Sequence, residues 1–249
     1  MIIADERNPK AQEMAKTLSG FFPDGLPEGA PTVVIGGDGF LLYVANTRGL
    51  DNTYLGLNAG YLGFLLNDVD NWDAIAHRLE SNKWKEWSFP TIEAKIVCEN
   101  GETIHERAVN DVYLERMSGQ TARLGLTVDG EEVVKTLVSD GIVFSTALGS
   151  TAYTYSAGGP VCHPTLEVLA VTPICPHKPR LAPFALPATA RVEIEVQKGQ
   201  YRPVRAVADG RDTDNVSSVH LALSTEKVRL AYFLNHDFTS LMVRKILHP

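Results

Sequence analysis

Hydrophobic residues recur at helical spacing in two stretches of the first ninety residues. Asn8 followed by Pro9 is typical of a helix start, with asparagine as the cap and proline in the first turn. The hydrophobic positions that follow are Ala11, Met14, Ala15, Leu18 and Phe22. A second pattern, ending near Ser81, is formed by Trp72, Ile75, Ala76 and Leu79. The spacing predicts two amphipathic helices that each lie on a core.

Short, mostly apolar runs between these helices predict buried strands. Thr32 to Ile35 and Tyr54 to Leu57 are two such runs, and each leads directly into a loop that contains glycine. Runs of this kind are typical of strands that are covered on both faces. The repeated order of strand, loop and helix therefore predicts a parallel sheet flanked by helices.

The pattern changes beyond about Phe89, where strand signals replace helical ones. Residues 92–98 and 103–107 predict a hairpin. Further strands are predicted over 124–128, 191–196, 204–208, 219–223 and 228–231, followed by a short helix over 238–247. We therefore expect an α/β domain over residues 1–89 and a β-rich domain over 90–235. The last helix carries Leu241, Met242 and Ile246 on one side, which suits docking onto a domain surface.

Composition narrows the class of protein. The chain has 249 residues and a formal net charge of −7, and its sequence pI is near 5.5. Nucleic-acid binding is disfavoured because it needs a clustered basic surface. No apolar run approaches the roughly 18 residues that span a bilayer, and the first residues lack the features of a signal peptide. A cytoplasmic location is the default expectation.

The cysteines raise one metal hypothesis. Cys98, Cys162 and Cys175 include no CxxC pair, which suits a reducing compartment. With His163 and His177, the last two cysteines supply four potential zinc ligands. Structural zinc sites normally present each ligand pair across two to four residues, so we favour buried thiols and histidines at loop edges, with zinc as the alternative.

The stretch Gly36-Gly37-Asp38-Gly39 follows a predicted strand and precedes a helix. Glycines allow positive φ angles and close approach of a ligand, and free amides at a helix start bind phosphate. A carboxylate at this position would repel phosphate unless it handled Mg²⁺ or an attacking hydroxyl. The alternative is an ordinary left-handed turn in which Asp38 caps the helix.

Other nucleotide-binding motifs are missing from the sequence. No Gly-Lys pair exists, so a P-loop is excluded, and there is no G-x-G-x-x-G. A second candidate segment, residues 139–160, ends a predicted strand in hydroxyl-bearing and small residues with tyrosines. Such a surface can stack a base and bond sugar hydroxyls; the alternative is a small-residue helix packed on a sheet.

Four segments together resemble the NAD kinase family in order and spacing: Gly36–Gly39, Asn58–Leu65, Asn110–Asp111 and Asp140–Pro160. The match covers nearly the whole chain. The Gly-Gly-Asp-Gly turn also occurs in lipid kinases and phosphofructokinases of the same broad superfamily, whereas the long last segment is more specific.

The resemblance implies transfer of the γ-phosphoryl group of ATP, or of polyphosphate, to the adenosine ribose 2′-hydroxyl of NAD, with a divalent metal ion such as Mg²⁺. It implies an α/β N-terminal domain and a sandwich-like C-terminal domain that binds NAD. The last helix, about 236–249, would return to the first domain. A homodimer or homotetramer with the C-terminal domains in contact is also implied.

The resemblance assigns a role to each matching residue. Asp38 would be catalytic and would contact Mg²⁺, within a phosphate loop of Gly36, Gly37, Gly39 and Phe40. Residues implied to bind NAD are Asn58, Phe64, Asn110, Asp111, Asp140, Thr151, Ala152, Tyr153, Ser156 and Asp209.

Some positions depart from the family pattern. Phe40 stands where threonine is usual, which removes a hydroxyl from the phosphate loop, and Asp111 stands where glutamate is more frequent. Ala147-Leu148 and Leu181-Ala182-Pro183 also differ. The differences concern the donor side more than the NAD side.

Two other functions remain open. A lipid or sugar kinase with the same glycine turn would consume ATP without NAD, and a sensor would bind NAD without turnover. The acidic run 209–214 suggests a calcium loop, but it lacks the downstream glutamate of an EF-hand.

Overall fold

A computed structural model of the chain describes residues 1–247, and of Leu247 only the backbone. The helices are α1 (Pro9–Phe21), α2 (Asp38–Arg48), α3 (Trp72–Glu80), α4 (Tyr153–Ser156) and α5 (Phe238–Met242). The strands are β1 (Ile2–Ala4), β2 (Thr32–Gly36), β3 (Thr53–Asn58), β4 (Trp84–Cys98), β5 (Thr103–Ala108), β6 (Asp111–Arg116), β7 (Ala122–Val128), β8 (Glu131–Ser139), β9 (Gly141–Thr146), β10 (Val168–Ile174), β11 (Phe184–Pro187), β12 (Arg191–Val196), β13 (Val204–Ala208), β14 (Arg211–Thr213) and β15 (Val216–Phe233).

The chain forms two compact units. One contains Met1–Phe89 together with the segment from Lys227 onward, and the other contains Pro90–Glu226. β4 and β15 each contribute residues to both units. The division falls at residue 226, whereas the sequence analysis ends the second domain near 235, because Arg229 and Leu230 at the end of β15 pair with β3.

The first unit is an α/β layer structure. Its parallel strands run in the order β1, β2, β3 and β15. α1 begins where the Asn8 side chain accepts hydrogen bonds from the amides of Lys10 and Ala11, as the cap pattern predicts. Its buried face joins that of α3 over β2 and β3 in one hydrophobic core. The sequence prediction of a parallel sheet flanked by helices is confirmed.

The second unit is a β-sandwich. Strands β15, β12, β7 and β8 pair antiparallel, with the hairpin β4–β5 joined to β15. The other sheet is antiparallel in the order β11, β10, β9, β6, β13 and β14. Side chains from both sheets, among them Leu124, Val192, Phe144 and Val204, form one core. The β-rich prediction is confirmed.

β15 is one strand of 18 residues, although the sequence analysis predicts two, over 219–223 and 228–231. The polar run between them resembles a turn. It stays extended because its Glu226 has partners on neighbouring segments: the carbonyl accepts from Thr91 Oγ1 at 2.9 Å, and the carboxylate pairs with Arg107.

The C-terminal helix predicted over 238–247 changes form along its length. α5 covers Phe238–Met242, and Val243–Leu247 continue as a π-helical turn. Leu241 and Ile246 are buried, whereas Met242 is half-buried. The last two positions of the predicted segment 236–249 lie outside the described residues. Within residues 1–247, no helix has the length and apolar character needed to cross a membrane.

Candidate active site

The glycine loop joins β2 to α2 without a left-handed turn. β2 ends at Gly36, Gly37 is the helix cap with φ −97° and ψ 175°, and α2 begins at Asp38. None of the three loop glycines has a positive φ angle. The positive φ angles that glycine allows are therefore not used here, because an extended cap residue leads the strand straight into the helix.

Space is what these glycines provide. A Cβ atom on Gly37 or Gly39 would have no neighbouring atom within 4 Å, so the backbone is open on that side. A Cβ atom on Gly36 would lie 2.8 Å from Cδ1 of Phe40. Phe40 thus covers the base of the loop, and its ring stacks on Tyr43 with centroids 6.2 Å apart. The open backbone is the part that a phosphate can approach.

The Asp38 carboxylate is fixed by two backbone amides. Phe64 N–H donates to Oδ2 at 2.9 Å and Leu65 N–H donates to Oδ1 at 2.8 Å. The cap residue of α2 is Gly37, and both Asp38 oxygens accept from a different segment, so the alternative of Asp38 as a helix cap is wrong. Two charge-assisted hydrogen bonds hold the carboxylate in one orientation at the start of the helix.

The segment that supplies these amides is itself tightly packed. Asn58 Oδ1 accepts from Gly60 N–H at 2.9 Å. Gly63 has φ +60°, and a Cβ there would lie 2.2 Å from Asn58 Nδ2, so any other residue would be strained and would displace the Asn58 amide. A Cβ on Gly60 would lie 3.2 Å from the Cα of Gly37. The Phe64 ring is buried, so its contribution to Asp38 comes from the backbone.

In the second unit, Asp209 organises the segment Val109–Asp111. Its carboxylate accepts from the amides of Val109 at 2.6 Å, Asn110 at 3.0 Å and Asp111 at 3.3 Å. Asp209 and Gly210 have φ +45° and +80° and form the Asp-Gly turn between β13 and β14. This hairpin turn, rather than a cation loop, accounts for the aspartate at this position.

The backbone carbonyls of Val109 and Asn110 accept hydrogen bonds from the second candidate segment, residues 139–160. Thr146 Oγ1 donates to the Val109 carbonyl at 2.8 Å, and Thr146 N–H donates to the Asn110 carbonyl at 2.9 Å. A Cβ on Gly149 would lie 2.1 Å from that Asn110 oxygen. The motifs around residues 110 and 149, far apart in sequence, therefore form one interlocked structure.

Asn110 and Asp111 are both buried. Burial, followed by the charge of Asp209, raises the pKa of the Asp111 carboxyl to about 7. Asn110 Oδ1 is buried and has no hydrogen-bond partner among the described residues. An unpaired buried amide oxygen can accept a hydrogen bond from a ligand hydroxyl or amino group.

The remaining candidates lie around β9 and the segment after it. Asp140 forms an ion pair with Arg116 at 2.6 Å, a partner that the sequence analysis does not identify. The ring of Tyr153 packs edge-on against Tyr113 at 4.8 Å, and burial raises the pKa of the Tyr153 hydroxyl. Thr151 ends a short 3₁₀ turn after β9, Ser156 ends the four-residue helix α4, and Ala152 joins the two elements.

The zinc hypothesis has no geometric support in the described part of the chain. Cys162 is buried and its amide donates to Ser150 Oγ at 2.9 Å, whereas Cys175 is exposed. Within residues 1–247, no group of three or more metal-binding side chains is close enough to hold an ion.

Known proteins similar to this chain identify its family. Residues 109–231 match the family profile described as the ATP-NAD kinase C-terminal domain. A protein of Cereibacter sphaeroides named NAD kinase is 37% identical over 95% of this chain and 94% of its own length. The chain belongs to the NAD kinase family. A second NAD kinase, from Rhizobium meliloti, is 36% identical over 86% of this chain and 84% of its own length.

Two solved structures of NAD and NADH kinases share the fold. An NAD kinase from Archaeoglobus fulgidus, in complex with ATP, has a TM-score of 0.77 and 21% identity over 99% of this chain and 98% of its own. Yeast NADH kinase, complexed with NADH, has a TM-score of 0.77 and 23% identity. The alignment with yeast NADH kinase covers 87% of this chain and 65% of the yeast chain.

Proposed function

We propose that this protein transfers the γ-phosphoryl group of ATP, or of inorganic polyphosphate, to the adenosine ribose 2′-hydroxyl of NAD and so forms NADP. The observation that carries the proposal is the Asp38 carboxylate, which two amides orient beside an open glycine backbone. The names of its relatives, NAD kinase, support the same reaction.

The loop has the properties of a phosphate site. α2 has 11 residues, and the amides of Phe40 and Leu41 donate to the Gly37 carbonyl, which leaves the preceding amides at the start of the helix without an intrahelical acceptor. Such a terminus favours negative charge, and the open sides of Gly37 and Gly39 allow close approach. Phe40 offers no hydroxyl, so in this proposal the donor phosphates are bound by backbone amides.

Asp38 orients the acceptor hydroxyl. The bond between the 2′-oxygen and the γ-phosphorus forms as the bond from that phosphorus to the ADP oxygen breaks, and the hydroxyl proton leaves to Asp38 or to solvent. Phosphoryl transfer depends chiefly on alignment and charge neutralisation. A carboxylate fixed through both oxygens supplies that alignment.

A single carboxylate also fits Mg²⁺. This ion is usually bound by one or two carboxylates together with substrate phosphates. Each Asp38 oxygen accepts one amide hydrogen bond and keeps a lone pair. When bound, Mg²⁺ would neutralise charge on the donor phosphates, and Asp38 is the residue that would hold it.

In this proposal the NAD-binding residues of the second unit act through hydroxyl, amide and carboxyl groups. Asn110 and Asp111 bind sugar hydroxyls or the base, and Asp140 lies by the nicotinamide end. Thr151, Ala152, Tyr153 and Ser156 form the adenosine pocket, with Asp209 supporting Asn110 and Asp111. In the first unit, Asn58 contacts the nucleotide, whereas Phe64, whose ring is buried, acts through its backbone amide. We further propose that the protein acts in the cytoplasm as a homodimer or homotetramer.

The test is an assay for NADP with purified protein, NAD, Mg²⁺ and either ATP or polyphosphate, read by a coupled dehydrogenase. Asp38→Asn is measured in parallel for turnover and for NAD binding. Because an asparagine amide would face an amide N–H, the folding of this variant is checked by thermal unfolding. Turnover that collapses while NAD binding survives supports the proposal.

Other outcomes separate the alternatives. NAD binding without NADP from either donor indicates a sensor, and ATP consumption without NAD dependence indicates a lipid or sugar kinase. Phe40→Thr, compared with wild type on both donors, tests whether Phe40 sets donor preference.

A further inference from the structure

Lys245, in the C-terminal π-helical turn, is attached to the segment that holds Asp38. Its side chain is 17% exposed, and its ammonium group donates to the backbone carbonyls of Leu62 and, at 3.1 Å, Gly63. Asp68 Oδ1 lies 3.6 Å away. The ammonium group therefore has two carbonyl acceptors in this segment and, at a longer distance, an ion pair with the Asp68 carboxylate.

One peptide group joins Lys245 to Asp38. The Gly63 carbonyl that accepts from Lys245 belongs to the peptide whose N–H is that of Phe64. That same N–H donates to Asp38 Oδ2 at 2.9 Å. The ammonium group and the carboxylate are thus bound at opposite ends of a single planar peptide.

The physical coupling follows from peptide resonance. A positive charge at the carbonyl oxygen draws electron density from the nitrogen, and hydrogen bonds in such a chain strengthen one another. Glycine restricts its own backbone angles least of all residues, so the plane of the peptide that follows Gly63, whose φ is +60°, is set by the groups that bind it. The orientation of the Phe64 N–H therefore depends on what binds the Gly63 oxygen.

We propose that Lys245 is a positioning residue for phosphoryl transfer, which fixes the orientation of the Asp38 carboxylate through the Gly63–Phe64 peptide. The role of Asp38 in this statement rests on the proposed function. Because Lys245 acts through Asp38, its loss should lower kcat and leave the KM values for NAD and ATP nearly unchanged.

The kinetic test compares Lys245→Met, Lys245→Arg and the control Arg244→Met, which removes a neighbouring exposed cation. A misplacement of about 1 Å costs on the order of 100-fold in rate, so we expect Lys245→Met to lower kcat by about 10- to 100-fold with KM within about threefold. Lys245→Arg restores most of kcat, and Arg244→Met retains it. Equal losses in Lys245→Met and Arg244→Met would overturn the proposal.

A double-mutant cycle tests whether the effect passes through Asp38. In an Asp38→Asn background, measured in single turnovers, Lys245→Met should cause no further loss of rate. A full additional loss would mean that Lys245 acts independently of Asp38, contrary to the proposal.

A spectroscopic readout tests the hydrogen-bonded chain directly. With ¹⁵N-phenylalanine labelling, and Phe64→Leu to assign the resonance, the Phe64 amide proton should move upfield in Lys245→Met and stay in place in Arg244→Met. If wild type forms NADP, an unmoved Phe64 resonance overturns the positioning role alone. If wild type forms none, the proposed function fails together with the kinetic role.

Discussion

The carboxylate of Asp209 accepts a hydrogen bond from the backbone amide of Asp111 at 3.3 Å, and Asp111 is itself only 7% exposed. One aspartate therefore holds the backbone of another whose side chain it repels. This arrangement explains why the pKa of Asp111 is raised to about 7, first by burial and then by the Asp209 charge.

The first prediction concerns stability against pH. The pKa of Asp111 rises from 3.8 in the unfolded chain to about 7 in the folded chain, so stability present at pH 4 is lost as the pH rises through 7. Asp111→Asn removes that loss. At 1.36 kcal/mol per pKa unit, the raised pKa can lower the free energy of unfolding at high pH by at most ~4 kcal/mol. We expect the free energy of unfolding of the variant to exceed that of wild type by about 1–3 kcal/mol at pH 8 and to equal it at pH 4.

Urea unfolding at several pH values measures the difference. Asp212→Asn, in the exposed part of the neighbouring hairpin, is the control and should show no pH-dependent gain. A variant at Asp111 that is less stable than wild type at pH 8 would contradict the assignment of the raised pKa.

The second prediction concerns Asp209 itself. Asn at this position keeps one acceptor oxygen, and its amide group would face backbone N–H groups that the carboxylate now satisfies. Loss of charge-assisted hydrogen bonds to buried donors costs about 2–4 kcal/mol. Asp209→Asn should lose this amount in urea unfolding, while Asp212→Asn changes by less than about 0.5 kcal/mol. Similar losses in both variants would sink the explanation.

Local sequence patterns predict much of the fold and only part of the site. Asn8 and Pro9 predict the start of α1 because a helix cap depends on adjacent residues. The apolar run before Gly36 predicts β2 because that signal, too, lies in neighbouring residues. The continuity of β15 through Glu226 is not predictable locally, since its partners Thr91 and Arg107 are more than a hundred residues away.

The same limit applies to the site. The glycine motif indicates phosphate chemistry, but the amides that fix Asp38 come from Phe64 and Leu65, and no spacing rule links them. Glycine serves two needs, conformational freedom and space, and a sequence does not show that this loop uses only the second.

The third prediction uses Gly149, where a Cβ would lie 2.1 Å from the Asn110 carbonyl oxygen. Gly149→Ala must displace the backbone at Asn110, because the clashing oxygen is a main-chain atom and not the end of a flexible side chain. The same oxygen also accepts a hydrogen bond from the Thr146 amide. Overpacking of this kind costs about 1–3 kcal/mol or more, and we expect weaker NAD binding by calorimetry in addition.

Gly119→Ala is the matched control in the same unit, because its Cβ would meet nothing within 4 Å and its φ is not positive. It should retain both stability and NAD affinity. Unchanged NAD affinity in a clearly destabilised Gly149→Ala would show that the segment 109–111 does not contribute to the NAD site.

The fourth prediction separates folding from phosphate approach at Gly39. A methyl group there meets no neighbour, and alanine is favoured over glycine inside a helix by up to about 1 kcal/mol. Gly39→Ala should therefore unfold at the same or slightly higher urea concentration than wild type. If donor phosphates approach the open backbone, the added methyl group occupies their path, and KM for ATP should rise by about tenfold, equivalent to ~1.4 kcal/mol. Gly20→Ala, near the end of α1 and equally unhindered, should leave KM unchanged. A Gly39→Ala variant with normal KM and kcat would place the phosphates elsewhere, because the space above this glycine would then have no role in donor binding.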